Sequence, residues 1–164
     1  MKSIYSAIFG GALAYLGLLP ASRPVSPLPD GGYPGFNTAE GPNALLSLTT
    51  GSHNTAIGSN TLKSDTTAGH NTALGAGTLY SNTADGNTGV GATALFRNTT
   101  GNDNTATGLV ALYNNNTGAN NTANGAFALF NNTTGGGNTA TGFDALAHNT
   151  SGGGKLGQRF ERAL

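Results

Sequence analysis

Residues 101–146 read GNDNTATGLVALYNNNTGANNTANGAFALFNNTTGGGNTATGFDAL and say nearly the same thing three times. An Asn-Thr pair, a glycine and an Ala-Leu pair return at a 17-residue interval, and no catalytic group returns with them. Followed outward, the register holds for seven units that open at Asn37, Asn54, Asn71, Asn87, Asn104, Asn121 and Asn138, spaced 17, 17, 16, 17, 17 and 17 residues apart. The glycine four positions on is invariant (Gly41, Gly58, Gly75, Gly91, Gly108, Gly125, Gly142), and so is the leucine eight positions on (Leu45, Leu62, Leu79, Leu95, Leu112, Leu129, Leu146). The third residue is Ala in six units and Gly89 in the other.

A unit of this length is too short for the helical pairs of known solenoids, and Gly, Asn and Thr inside every unit oppose helix formation. Short strands such as TAIG and TALF, broken by Gly and Asn turns, fit one coil of a parallel β-solenoid with like residues stacked coil upon coil. The sequence therefore predicts an all-β fold, a parallel β-solenoid of about seven 17-residue coils over residues 37–154, with the leucine row as its core. The single 16-residue unit loses its residue near TADG, a turn, where a solenoid tolerates a deletion. On this reading Leu112→Asp is far more damaging than Asn115→Asp, because only the first buries an unpartnered charge.

Composition narrows the function. Only 9% of the 164 residues are charged, and seven basic residues balance seven acidic ones, so there is no field to attract nucleic acid or an anionic membrane. The absence of cysteine excludes disulfide staples, thiolate zinc sites and a cysteine nucleophile. Residues 1–22, MKSIYSAIFGGALAYLGLLPAS, have a basic residue, an apolar run and small residues in the order of a secretory signal peptide. A Pro/Gly-rich linker is expected over 23–36, and a C-terminal tail over 155–164. A secreted or surface-displayed protein follows.

Seven leucines are a thin core for so long an array, which favours packing against a neighbour. The residue after each leucine reads Leu46, Lys63, Tyr80, Phe96, Tyr113, Phe130, Ala147. On a strand it faces away from the leucine, so Tyr80, Phe96, Tyr113 and Phe130 form an outward aromatic stripe, the candidate oligomer or ligand contact.

The units NTAIG, NTALG and NTGVG, each followed by an Ala-Leu or Thr-Leu pair and a turn such as NTTG, resemble the head repeats of trimeric autotransporter adhesins and are similar to phage tail-fibre repeats. The resemblance covers residues 37–154. It implies a left-handed β-roll, three chains side by side, and display on a surface to bind host, matrix or glycan ligands. After Gly154 the sequence KLGQRFERAL follows neither a coiled-coil stalk nor a membrane β-barrel pattern.

Catalytic chemistry finds no footing. His53 and His70 fall at the same place in successive units and stack in one turn row, but no third metal ligand recurs with them. Asp65, Asp85 and Asp144 have no recurring acidic partner for general acid/base work. There is no nucleophile elbow and no phosphate-binding loop. The triplets at Asn98, Asn115, Asn131 and Asn149 fit the glycosylation pattern, though asparagine bonding along the stack and in turns explains them more simply. No enzyme, cofactor or metal is expected. The alternatives to an adhesive or structural rod are a phage-fibre shaft segment and an ice-binding face built on the Thr38–Thr139 row. The second column of such a face reads Glu40, Ile57, Leu74, Val90, Thr107, Asn124, Thr141, and only two of its residues are Thr.

Overall fold

The computed structural model describes residues 34–159; the signal-like segment and most of the linker lie outside them. Eight three-residue strands make one parallel sheet in chain order: β1 (Thr38–Glu40), β2 (Thr55–Ile57), β3 (Thr72–Leu74), β4 (Thr88–Val90), β5 (Thr105–Thr107), β6 (Thr122–Asn124), β7 (Thr139–Thr141) and β8 (Leu156–Gln158). Thr pairs with Thr and the central small residue with its counterpart from β1 through β7, so the seven Asn-Thr units are seven coils of a β-solenoid. At about 4.8 Å per rung the eight strands extend over about 34 Å.

Each of β1–β7 buries its middle residue between two more exposed ones, and in β8 the middle residue is half-buried. The interior is narrow, and side-chain size divides it. Ala39, Ala56, Ala73, Ala106, Ala123 and Ala140 line the strand side, and Leu45, Leu62, Leu79, Leu95, Leu112 and Leu129 fill the space opposite. Leu146 packs on this core from its end.

The leucines do not sit on a second strand. One strand per coil is present, and TALF (residues 93–96) and its equivalents are turns. The Leu φ angles lie between 46° and 53° in all seven coils, a left-handed conformation that a leucine adopts only under constraint. Two four-residue turns meet at this leucine. The first runs from the invariant glycine and is closed by bonds such as Ala128 N–H to the Gly125 carbonyl (3.2 Å); the second runs from the leucine and is closed by bonds such as Asn115 N–H to the Leu112 carbonyl (3.1 Å). Burial holds the leucine in place, and the coil-to-coil bond from Leu112 N–H to the Ala128 carbonyl (2.9 Å) fixes its backbone.

Two features explain the invariant glycines. Their φ angles run from 112° to 144°, and a Cβ on Gly58 would stand 2.8 Å from the Gly75 backbone one coil on. Only a glycine relieves both.

Buried asparagines supply the polar half of the interior. Along the first column, Asn54 N–H donates to Asn37 Oδ1 (2.9 Å), Asn71 N–H to Asn54 Oδ1 (2.9 Å), and so on to Lys155 N–H on Asn138 Oδ1 (3.0 Å). A second column, three residues after the leucine in coils 3–7, joins Asn82, Asn98, Asn115, Asn132 and Asn149 through side-chain amide hydrogen bonds of 2.7–2.9 Å. The two columns converge: the Gly118 carbonyl accepts from Asn104 Nδ2 (2.9 Å) and Asn115 Nδ2 (2.8 Å), and Gly135 and Gly152 repeat the arrangement. Asn115 is therefore a fully buried strut and not a turn residue open to solvent, which overturns its expected tolerance of charge.

The ladder also runs beyond the expected repeat boundary. Residues 155–159, read from sequence as the start of a tail, carry β8 and pair with β7 in register: Thr139 with Leu156, Ala140 with Gly157, Thr141 with Gln158.

Candidate interaction surface

The aromatic stripe forms inside the second turn of each coil, one residue past the leucine. Alternation along a strand does not aim these rings outward; the left-handed leucine does, by turning its own side chain in and the next one out. Tyr80, Phe96, Tyr113 and Phe130 are half-buried and lie outside the core. Their ring centroids follow one another at 4.9, 5.2 and 5.5 Å with planes inclined by 20°, 3° and 18°. Each inner ring thus has both faces covered by its neighbours, and it is the ring edges that point to solvent.

The ends of the stack are covered as well. Lys63 places its ammonium 5.2 Å from the Tyr80 centroid and 3.2 Å from the Tyr80 hydroxyl. At the other end Phe127 tilts against Phe130 at 5.8 Å and meets Phe143 edge-on at 5.7 Å. Arg97 adds a cation 5.7 Å from the Tyr113 ring. The apolar surface thereby turns the corner of coils 5–7, where Leu109 and Phe143 are about half exposed (50% and 51%).

A second aromatic row stands at the opposite end of the chain order. His53 and His70 stack at 5.0 Å with planes 6° apart, as the sequence register requires, and Phe36 extends the row at 5.2 Å. Face-to-face imidazoles point their ring nitrogens in parallel, a poor arrangement for chelating one ion. Among the described residues no group of three or more His, Asp or Glu side chains is close enough to hold a metal ion.

The acidic residues divide by environment. Asp144 pairs with Arg159 at the surface (3.0 Å). Asp85 accepts from Gly69 N–H (2.7 Å). Asp65 is fully buried and occupies the second asparagine column. Its Oδ1 accepts from Ala68 N–H (2.9 Å), and its Oδ2 has a long contact from Asn71 Nδ2 (3.5 Å). Burial pushes the Asp65 carboxyl up to about 6; the Ala68 N–H opposes this and the nearby Asp85 charge reinforces it.

Of the glycosylation-pattern asparagines, Asn98, Asn115, Asn132 and Asn149 are locked in the buried column, Asn131 is half-buried at the surface and Asn120 is exposed. The exposed sheet face carries the Thr row in register, but its neighbouring column is apolar at Ile57, Leu74 and Val90 and polar at Thr107, Asn124 and Thr141. Sequence register placed the stripe and the imidazole pair. It missed the second asparagine column, whose signal was an Asn three residues after the leucine in coils 3–7, and the eighth rung. No protein-family model, curated protein or solved structure matches the chain.

Proposed function

We propose that the protein is a non-enzymatic rod, secreted or held at a cell surface, that associates side by side in threes through the stripe of Tyr80, Phe96, Tyr113 and Phe130 and presents its outer faces to host-surface, matrix or glycan ligands. The observation that carries this reading is the stack itself: four rings in consecutive coils, on a rod with almost no charge, expose their edges at the 4.9–5.5 Å repeat of the coils. Sugar rings and nucleobases pack on aromatic faces, and those faces are occupied here. Ring edges repeating at the coil spacing instead fit the grooves of a surface with the same repeat, and a parallel copy of the chain offers one. Ligand recognition then belongs to the remaining faces. The resemblance of the repeat units to trimeric adhesin heads supports both the number of chains and the setting outside the cell.

The test is sedimentation of wild-type protein beside a Phe96→Ser, Tyr113→Ser double variant. A trimer that falls to folded monomers in the variant is the expected outcome. A wild-type protein that is a stable monomer at every concentration overturns the reading.

A further inference from the structure

We propose that residues 155–159 are a built cap that seals the solenoid core after coil 7 and closes the sheet edge at β8 to a second copy of the chain. The eighth rung departs from the invariant positions of the repeat at Lys155, Leu156, Gly157 and Arg159; Leu156 is exposed, and the other three each have a partner in coil 7.

Where the seven coils open with Asn, this rung has Lys155. Its N–H takes the last free oxygen of the first column, Asn138 Oδ1 (3.0 Å), and its ammonium folds back to Asn149 Oδ1 (2.7 Å), the last oxygen of the second. One residue ends both columns, and having no side-chain carbonyl it offers no acceptor to a further coil.

Where six coils have Ala, this rung has Gly157. The space a Cβ would take is filled by Leu146, whose Cδ1 and Cδ2 would each lie 2.9 Å from it. Leu146 has no complete coil beyond it among the described residues, and by leaning over Gly157 it closes the open end of the core.

Where seven coils have Gly, this rung has Arg159. Glycine is enforced at the earlier rungs because the next coil presses on it; Gly125, for example, would put a Cβ 2.6 Å from the Gly142 carbonyl carbon. Arg159 keeps the ladder bond from its N–H to the Thr141 carbonyl (3.0 Å) and pairs with Asp144 (3.0 Å). A bulky charged side chain here blocks the position through which a following glycine would dock. Short edge strands carrying Lys or Arg are a general way to refuse further strand pairing, and solenoids need atypical terminal repeats to shield the last core layer.

The test restores the repeat identity at the two charged positions, Lys155→Asn with Arg159→Gly, in the full chain. Hydrogen exchange of the coil 7 amides Asn138–Ser151 is expected to rise about tenfold or more while coils 4–5 stay protected, and sedimentation is expected to show concentration-dependent species larger than the wild-type assembly. Lys155→Ala alone, a milder change, is expected to raise exchange in the same residues by a smaller factor. Unchanged coil 7 exchange in both variants overturns the sealing role, and unchanged stoichiometry at every concentration overturns the closed edge. Neither readout depends on the aromatic stripe, which both variants retain.

Discussion

The first three coils and the last four use the same backbone on different interiors. From coil 4 onward the second polar column is Asn98, Asn115, Asn132, Asn149, each amide bonded to the one before it. In coils 1 and 2 the same position holds Leu48 and Asp65, and at coil 3 Asn82 bonds forward to Asn98 but has no bond back to Asp65. The one shortened coil, residues 71–86, lies at this junction. The strand register crosses the junction without a break, so the sheet alone does not require the asparagines. What they add is satisfaction of the corner carbonyls, two donors to each of Gly118, Gly135 and Gly152. The late coils are therefore a polar ladder wrapped around a thin apolar core, and the early coils are the same core with that ladder interrupted.

The comparison breaks first at Asn115. Replacing it with Asp removes donation to Asn98 Oδ1 and the Gly118 carbonyl and leaves a carboxylate facing both acceptors in a fully buried site. A loss of about 3–5 kcal/mol follows from an uncompensated buried charge, comparable with Leu112→Asp in the apolar half of the same coil. Thermal denaturation followed by circular dichroism compares the two. If Asn115→Asp melts like wild type, the ladder is decoration and the two halves of the rod are equivalent.

Asp65 sharpens the same contrast with the opposite sign. Its carboxyl is raised by burial from 3.8 to about 6, so between those values the folded chain binds more protons than the unfolded chain. Stability then falls as pH rises through that window, by about 3 kcal/mol in all, and is constant above it. Asp65→Asn restores the column identity and removes the titration. Denaturant titrations at pH 7 are expected to show the variant more stable by up to about 3 kcal/mol, with the gain vanishing below about pH 4, near the ordinary carboxylate value. A gain of the same size at pH 3 and pH 7 would show that ladder repair, not charge burial, is responsible.

How much of this was legible in the sequence follows from which interactions repeat. The coil boundaries, the leucine core, the invariant glycines and the stripe all recur at one spacing, and stacking forces like onto like. The leucine conformation was not legible, because Ala-Leu-aromatic reads as a strand and only the two hydrogen-bonded turns flanking it require a positive φ. The outward direction of Phe96 and Tyr113 was reached by a strand argument that the turn replaces. Asn115 was misjudged since turn asparagines are ordinarily solvated, and its role depends on Gly118 standing beside it in space. The cap was missed for a simpler reason: Lys155, Gly157 and Arg159 match the repeat only in position, and each differs from it in identity.

The smallest effect lies at the seam itself. Gly89 is the one residue of coils 1–7 that breaks the alanine column, and a Cβ there would stand 2.5 Å from Thr78 Cγ2. Thr61, one coil earlier in the same column as Thr78, turns its hydroxyl back to the Gly58 carbonyl of its own turn (2.8 Å); Thr78 instead donates to the Gly91 carbonyl of the next coil (2.6 Å). That choice carries the Thr78 methyl into the space an alanine would fill, so the glycine compensates for the threonine. Gly89→Ala alone is expected to cost about 1–3 kcal/mol by overpacking. Thr78→Ala alone removes a hydrogen bond worth about 1 kcal/mol and opens a small void. Together they recreate the Ala-Ala pairing found in the later coils, and the alanine also restricts the unfolded chain, a gain of about 0.4–1 kcal/mol. The double variant is therefore expected to be more stable than the sum of the single changes by at least about 1 kcal/mol, read as a coupling energy from a four-member denaturation cycle. Additive single effects would mean that Thr78 and Gly89 do not share the space, and the break in the alanine column would then need a cause elsewhere in the shortened coil.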